Sequence, residues 1–166
     1  MSNVNEDQGT TTSYASVGAV AGTTSTFTST AASNAAIDGY FTTALAAQTN
    51  AATPTTDWGT GLAFNALAPN QTCTLLFGIS ASGTLRMIQG PVIATAVGVT
   101  TTVGGFIVAP QFPGLPDDFV ALAHTIVRTA PSAAPWTPGT SSWTASGVSA
   151  STFRQLSQIP KRPQVL

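Results

Sequence analysis

Charge is what this chain has least of. Six acids and five bases make up 7% of its 166 residues, with a formal net charge of −1, where ordinary globular domains carry about 25%. The five bases are spread from Arg86 to Arg162, too thinly to track a phosphate backbone, and no nucleic-acid partner is expected. A mean hydropathy of +0.24 also argues against charge-driven disorder. Histidine and cysteine occur once each, as His124 and Cys73. That rules out an intrachain disulfide scaffold and leaves no His or Cys pair at zinc-ligand spacing, so neither metal nor cofactor is expected. The opening Met1-Ser2-Asn3-Val4-Asn5-Glu6-Asp7 has neither the basic nor the apolar region of a secretory signal. The uncharged interval from Met87 to Pro116 is broken by Pro91, Pro110, Gly104-Gly105 and three threonines, so no membrane span is expected.

What the chain has instead is small residues: 28 Thr, 26 Ala, 15 Ser and 15 Gly account for half of it. Residues 1–35 are almost entirely of this kind. Tyr14 and Phe27 are their only large aromatics, too little to build a core. The segment reads as an extended N-terminal arm that lies on a neighbouring molecule. Thr24, Thr26, Thr28 and Thr30 would then align their hydroxyls along one side at about 6.7 Å intervals. A single unrepeated row is too narrow for an ice-binding surface and suits hydrogen bonding to a neighbour.

After residue 35 the pattern becomes short apolar runs divided by turn residues, the mark of an all-β domain, a small sandwich or barrel, spanning 36–158. Ile37 to Thr43 is strand-like, Gln48 to Thr60 reads as a polar loop, and Gly61 to Leu67 is apolar again. Thr72 to Ile79, the loop Ser80-Ala81-Ser82-Gly83 and Thr84 to Gln89 form a β-hairpin in which Cys73, Leu75, Phe77 and Ile79 share a face. Pro91 to Val108 suggests one or two short strands, and Pro110, Pro113 and Pro116 then break regular structure. Asp117 to Arg128 fits two patterns: Phe119, Leu122, Ala123 and Ile126 have helical spacing, while alternate residues fit a strand apolar on both faces. The strand is favoured because its surroundings are β. Trp136 to Trp143 is a turn, Val148 to Leu156 a strand, and Pro160-Lys161-Arg162-Pro163 begins an extended C-terminal tail, residues 159–166.

Catalytic chemistry finds little support. His124 is the one conventional base, with Asp117 and Asp118 nearby in sequence, yet no nucleophile elbow accompanies it; Gly78-Ile79-Ser80-Ala81-Ser82-Gly83 is explained by the hairpin turn. A packed or interface histidine is the simpler reading, and Cys73 reads as a small buried hydrophobe. Gly59-Thr60-Gly61-Leu62-Ala63-Phe64 lacks the third glycine of a dinucleotide loop. The chain is therefore expected not to be an enzyme. Trp58, Trp136 and Trp143 sit in Gly/Pro/Thr-rich loops, where tryptophan either anchors an interface or closes the end of a core. The candidate partner-binding residues are thus Tyr14, Thr24, Thr26, Phe27, Thr28, Thr30, Trp58, Trp136, Trp143, Lys161 and Arg162.

The run Ile37-Asp38-Gly39-Tyr40-Phe41, the loop Gln48 to Asp57, and the segments TCTLLFGISASGTLRMIQG, APQFPGLPDDFVALAHTIVR, WTPGTSSW, SGVSASTF and LSQIPKRPQ resemble small virion structural proteins of tailed bacteriophages, of the head decoration (cement) or head-fibre type. The resemblance runs from about Ile37 to Gln164 and rests on strand and turn signatures. It implies a structural protein made in the bacterial host cytoplasm and placed on the capsid exterior. There it would bind the major capsid protein and copies of itself as a homotrimer, stabilising the lattice. A fibre or adhesion module that binds a host-surface glycan through the tryptophan loops is the alternative. A surface with few charges loses its water cheaply on assembly, and an extended arm can add a strand to a neighbouring sheet; both agree with the cement reading.

Overall fold

The computed structural model describes residues 12–13, 18–37, 40–41, 45–96 and 106–156. The fold is all-β, and among the described residues no helix is long and apolar enough to cross a membrane. In chain order the strands are β1 (Thr12–Ser13), β2 (Ala19–Ala21), β3 (Thr26–Ser29), β4 (Ala35–Ile37), β5 (Tyr40–Phe41), β6 (Gln48–Ala52), β7 (Gln71–Ser80), β8 (Leu85–Gln89), β9 (Ile93–Ala94), β10 (Phe119–Thr129), β11 (Val148–Ala150) and β12 (Arg154–Gln155). All pairings are antiparallel.

The central sheet is ordered β11-β10-β7-β8, with β12 also on β10 and β9 also on β7. Its spine is the long pair β7 and β10, and β7 turns into β8 as the expected hairpin. Ser80 N–H bonds the Thr84 carbonyl at 3.0 Å, and Gly83 takes the left-handed conformation (φ 75°) that closes the turn. The ambiguous segment is a strand, β10, and it is buried along its whole length. Its mixed spacing has a structural cause. The ladder slips between Ala121 and Ala123, so the parity of the inward-facing residues changes at the bulge: Val120 before it, the extra residue Leu122 within it, and Ala123 and Val127 after it join one core. Gly78 pairs with Ala121 at this slip, where a Cβ would run into the Val120 carbonyl and the Phe119 ring.

A second sheet, β2-β3-β6, covers one face of the first, and β1-β4-β5 forms a third small ladder. Aromatics fill the space between. Phe27 of β3 stacks on Phe77 of β7 at 5.0 Å and 12°, and Phe153, Trp143 and Trp136 continue the cluster. On the opposite face of β7, Leu76, Ile88, Phe119, Ala121 and Leu156 make a smaller core, with Trp58 and Phe112 packed against it.

Two expectations are corrected here. Residues 18–35 belong to the body, since β2 and β3 are paired in a sheet and Phe27 is fully buried. One such aromatic, worth about 1.5–3 kcal/mol when buried, anchors a segment otherwise made of small residues. Gln48–Ala52, read as loop, is strand β6, because β3 supplies the hydrogen-bonding partner that its polar sequence does not announce. Residues 1–11 and 14–17 of the expected arm, and the tail 159–166, lie outside the described residues, as do residues 97–105 of the interval expected to hold one or two short strands.

Candidate functional site

The residues able to carry chemistry are mostly committed to structure. His124 is 1% exposed on β10, edge-on to the Phe112 ring at 5.1 Å. Cys73 is fully buried on β7, and burial pushes its thiol up to about 12 against a partial counter-effect from Gln89 Nε2, which donates to its sulfur at 3.6 Å. A thiol held protonated in this way is a poor nucleophile. Arg128 is buried as well, and burial lowers its pKa. Among the described residues no three His, Cys, Asp or Glu side chains gather into a metal-binding group.

The described residues among those expected at a partner interface fall into three groups. Phe27, Trp136 and Trp143 lie inside the main core, so these three are corrected from contact residues to core residues. The Trp136 indole N–H donates to the Ser142 carbonyl at 2.8 Å and that of Trp143 to the Thr26 carbonyl at 2.9 Å. Their polar edges are thus satisfied internally, which lets the large rings close the end of the sandwich.

The threonines form the second group. Thr26 and Thr28 point away from the core, alternating with buried Phe27 and Ser29, and both bond Asn50 of β6: Thr26 Oγ1 donates to Asn50 Oδ1 at 3.3 Å, and Asn50 N–H donates to Thr28 Oγ1 at 3.1 Å. Thr24 and Thr30 are exposed. Trp58 makes the third case. It is half-buried, its N–H donates to Asp118 Oδ1 at 3.1 Å, and the Arg86 guanidinium lies 4.0 Å over its ring. Tyr14, Lys161 and Arg162 lie outside the described residues.

A concave feature of the described surface lies elsewhere, and sequence reasoning passed over it. A cleft of about 770 Å³ opens between the loop Asp57–Asn65, the end of β8 with Gly90–Val92, and the loop Pro113–Pro116. Asp57 is the one charged residue that lines it, and is 6% exposed. Its loop is tightly wound: Asp57 Oδ1 accepts the Gly59 N–H at 2.9 Å, its carbonyl accepts the Gly61 N–H at 2.7 Å, and its N–H reaches the Leu62 carbonyl at 2.8 Å. Gly61 meets this geometry with φ 71°.

Gln89 fastens the loop to the sheet by accepting the Asn65 N–H and donating to the Asn65 carbonyl, each at 2.8 Å. Across the cleft, the Gln111 region lies so close to Gly90 that a Cβ there would come within 2.6 Å of the Gln111 carbonyl. The signals were present in the sequence as Asp57-Trp58-Gly59-Thr60-Gly61 and the proline series 110, 113 and 116. Nothing local says that they face each other. Compared with protein-family models, curated proteins and solved structures, the chain matches none of them.

Proposed function

We propose that this chain is a non-enzymatic structural protein of a tailed-phage head. It lies on the outer capsid surface as a decoration protein and binds the major capsid protein and further copies of itself, as a homotrimer. One observation carries the reading. Of the six charged residues among those described, Asp57 and Arg128 are buried, Arg86, Asp118 and Arg154 are partly buried, and only Asp117 is exposed. The outward surface of the described residues is therefore mostly hydroxyl, amide and methyl groups. Such a surface gives up its water at small cost when another protein covers it. The short strands β2 and β6, at the two edges of their sheet, add main-chain groups through which a neighbouring strand can pair. The tryptophan-loop route to an adhesion role is left with Trp58 alone, since Trp136 and Trp143 face the core while Trp58 is half-buried.

Quantitative mass spectrometry of purified parent particles, joined to a cryo-EM map, tests the proposal. The expected result is a copy number in fixed proportion to the major capsid protein, with density on the outer shell. Absence from the particle, or a few copies at one vertex or the tail, would overturn it.

A further inference from the structure

We propose that the Asp57 cleft is a binding site for a neutral saccharide. The inference rests on the cleft alone and stands or falls independently of the capsid role. Its volume of about 770 Å³ lies within the roughly 300–1,000 Å³ of small-molecule sites. Its walls are of two kinds. One is lined by the polar residues Asp57, Thr60, whose hydroxyl oxygen accepts the Leu62 N–H at 3.3 Å and keeps its own proton to donate, and exposed Asn65. The other is apolar and rich in proline, with Pro91, Val92, Pro113, Leu115 and Pro116. A pyranose ring has the same division, with hydroxyl donors around its edge and a C–H patch on its face.

The carboxylate is well placed for hydroxyl donors. Oδ1 is held by the Gly59 N–H, which fixes the group's orientation, and a carboxylate has about four lone-pair sites, so acceptor capacity remains. Hydroxyl bonds to an ionised acceptor are the stronger kind. The ligand's charge is also constrained. A single carboxylate with no basic residue in the lining repels acidic sugars. A cation is the less fitting occupant, because the rest of the lining is uncharged and supplies no second acid. Preorganisation comes from the prolines, from the Gln89 clamp on Asn65, and from the close seating of Gly90, so that little ordering is left for the ligand to impose.

The test is two-dimensional NMR of the full chain titrated with the methyl glycosides of glucose, galactose, mannose and N-acetylglucosamine, up to about 50 mM, where a millimolar Kd saturates. Methyl glucuronide and Nα-acetyl-lysine amide serve as the anionic and cationic comparisons. We expect at least one neutral glycoside to shift the amides of Gly59, Asn65, Gly90 and Leu115, with no response to the glucuronide. Asp57→Asn retains the Oδ1 acceptor for Gly59 and should fold, and it should weaken binding by about tenfold or more. Leu115→Trp, at a position 41% exposed, should block the cleft while leaving the fold and melting temperature in place. The proposal is overturned if no neutral glycoside shifts these amides, if neither variant weakens binding, or if the lysine derivative binds in preference to every sugar.

Discussion

The indole N–H of Trp143 donates to the carbonyl oxygen of Thr26 at 2.9 Å, joining residues 117 positions apart. The main chain repeats the link one step away, with Trp143 N–H on the Thr24 carbonyl at 3.1 Å. Together they hold the N-terminal strands β2 and β3 to the far end of the chain. Trp143→Phe keeps most of the ring packing and removes the side-chain bond, so a loss of about 1–3 kcal/mol is expected from the carbonyl left without its donor. Trp143→Ala should cost about 3–5 kcal/mol. Urea unfolding measures both, and in the alanine variant amide exchange should accelerate first at residues 24–29.

Asn50 adopts a left-handed backbone (φ 48°) where the β3–β6 ladder slips, and its side-chain oxygen accepts the Thr23 N–H at 3.0 Å and the Thr26 hydroxyl. Asparagine tolerates that conformation better than most residues. Asn50→Ala should therefore cost about 1–2 kcal/mol through strain together with the lost acceptor. Asn50→Gly relieves the strain and should recover part of the loss. Equal destabilisation in the two variants would show that backbone conformation contributes nothing at this position.

Gly78 has no room for a side chain beside the Val120 carbonyl and the Phe119 ring. Gly78→Ala must push apart the two longest strands at their bulge, with an expected loss of about 1–3 kcal/mol or more. Gly61 offers a control, because a Cβ there meets no atom within 4 Å and only its positive φ resists substitution, at about 1–2 kcal/mol. A fall in melting temperature larger for Gly61→Ala than for Gly78→Ala would contradict the packing seen at the bulge.

The Cys73 thiol is raised from 9.0 to about 12 by burial. The folded state thus holds this proton more tightly than the unfolded chain. The resulting stability is fully present below pH about 9 and is lost as pH rises toward about 12. Cys73→Ala should flatten the decline in stability across that alkaline window relative to the parent protein, whatever its effect at neutral pH. Thiol reagents at pH 8 should label Cys73 only as fast as the protein opens; rapid labelling of the native protein would refute its burial.

Local pattern alone was enough for the β7–β8 hairpin, because alternation from Cys73 to Ile79 and a glycine turn are properties of adjacent residues. The all-β class followed from the same short-range signals, and so did the strand at 119–129. Its rival helical spacing arises because a bulge reverses which residues face inward, and a single sequence does not mark where a ladder slips.

The reading of residues 18–35 as an arm failed for a related reason. Composition counts how little apolar surface a segment has, and Phe27 shows that one aromatic suffices when Phe77, Trp143 and Phe153 wait across the sandwich. Trp136 and Trp143 likewise could be assigned to core or interface only once Leu67, Ser142 and Thr26 were in place around them. The sequence by itself determined strand period, turn positions and a body nearly without charge, since these depend on neighbours a few residues apart. Tertiary structure decided which aromatics meet in the core, where β10 bulges, and that Asp57 and Leu115 line one cleft, because those relationships depend on packing between segments that the chain brings together only when it folds.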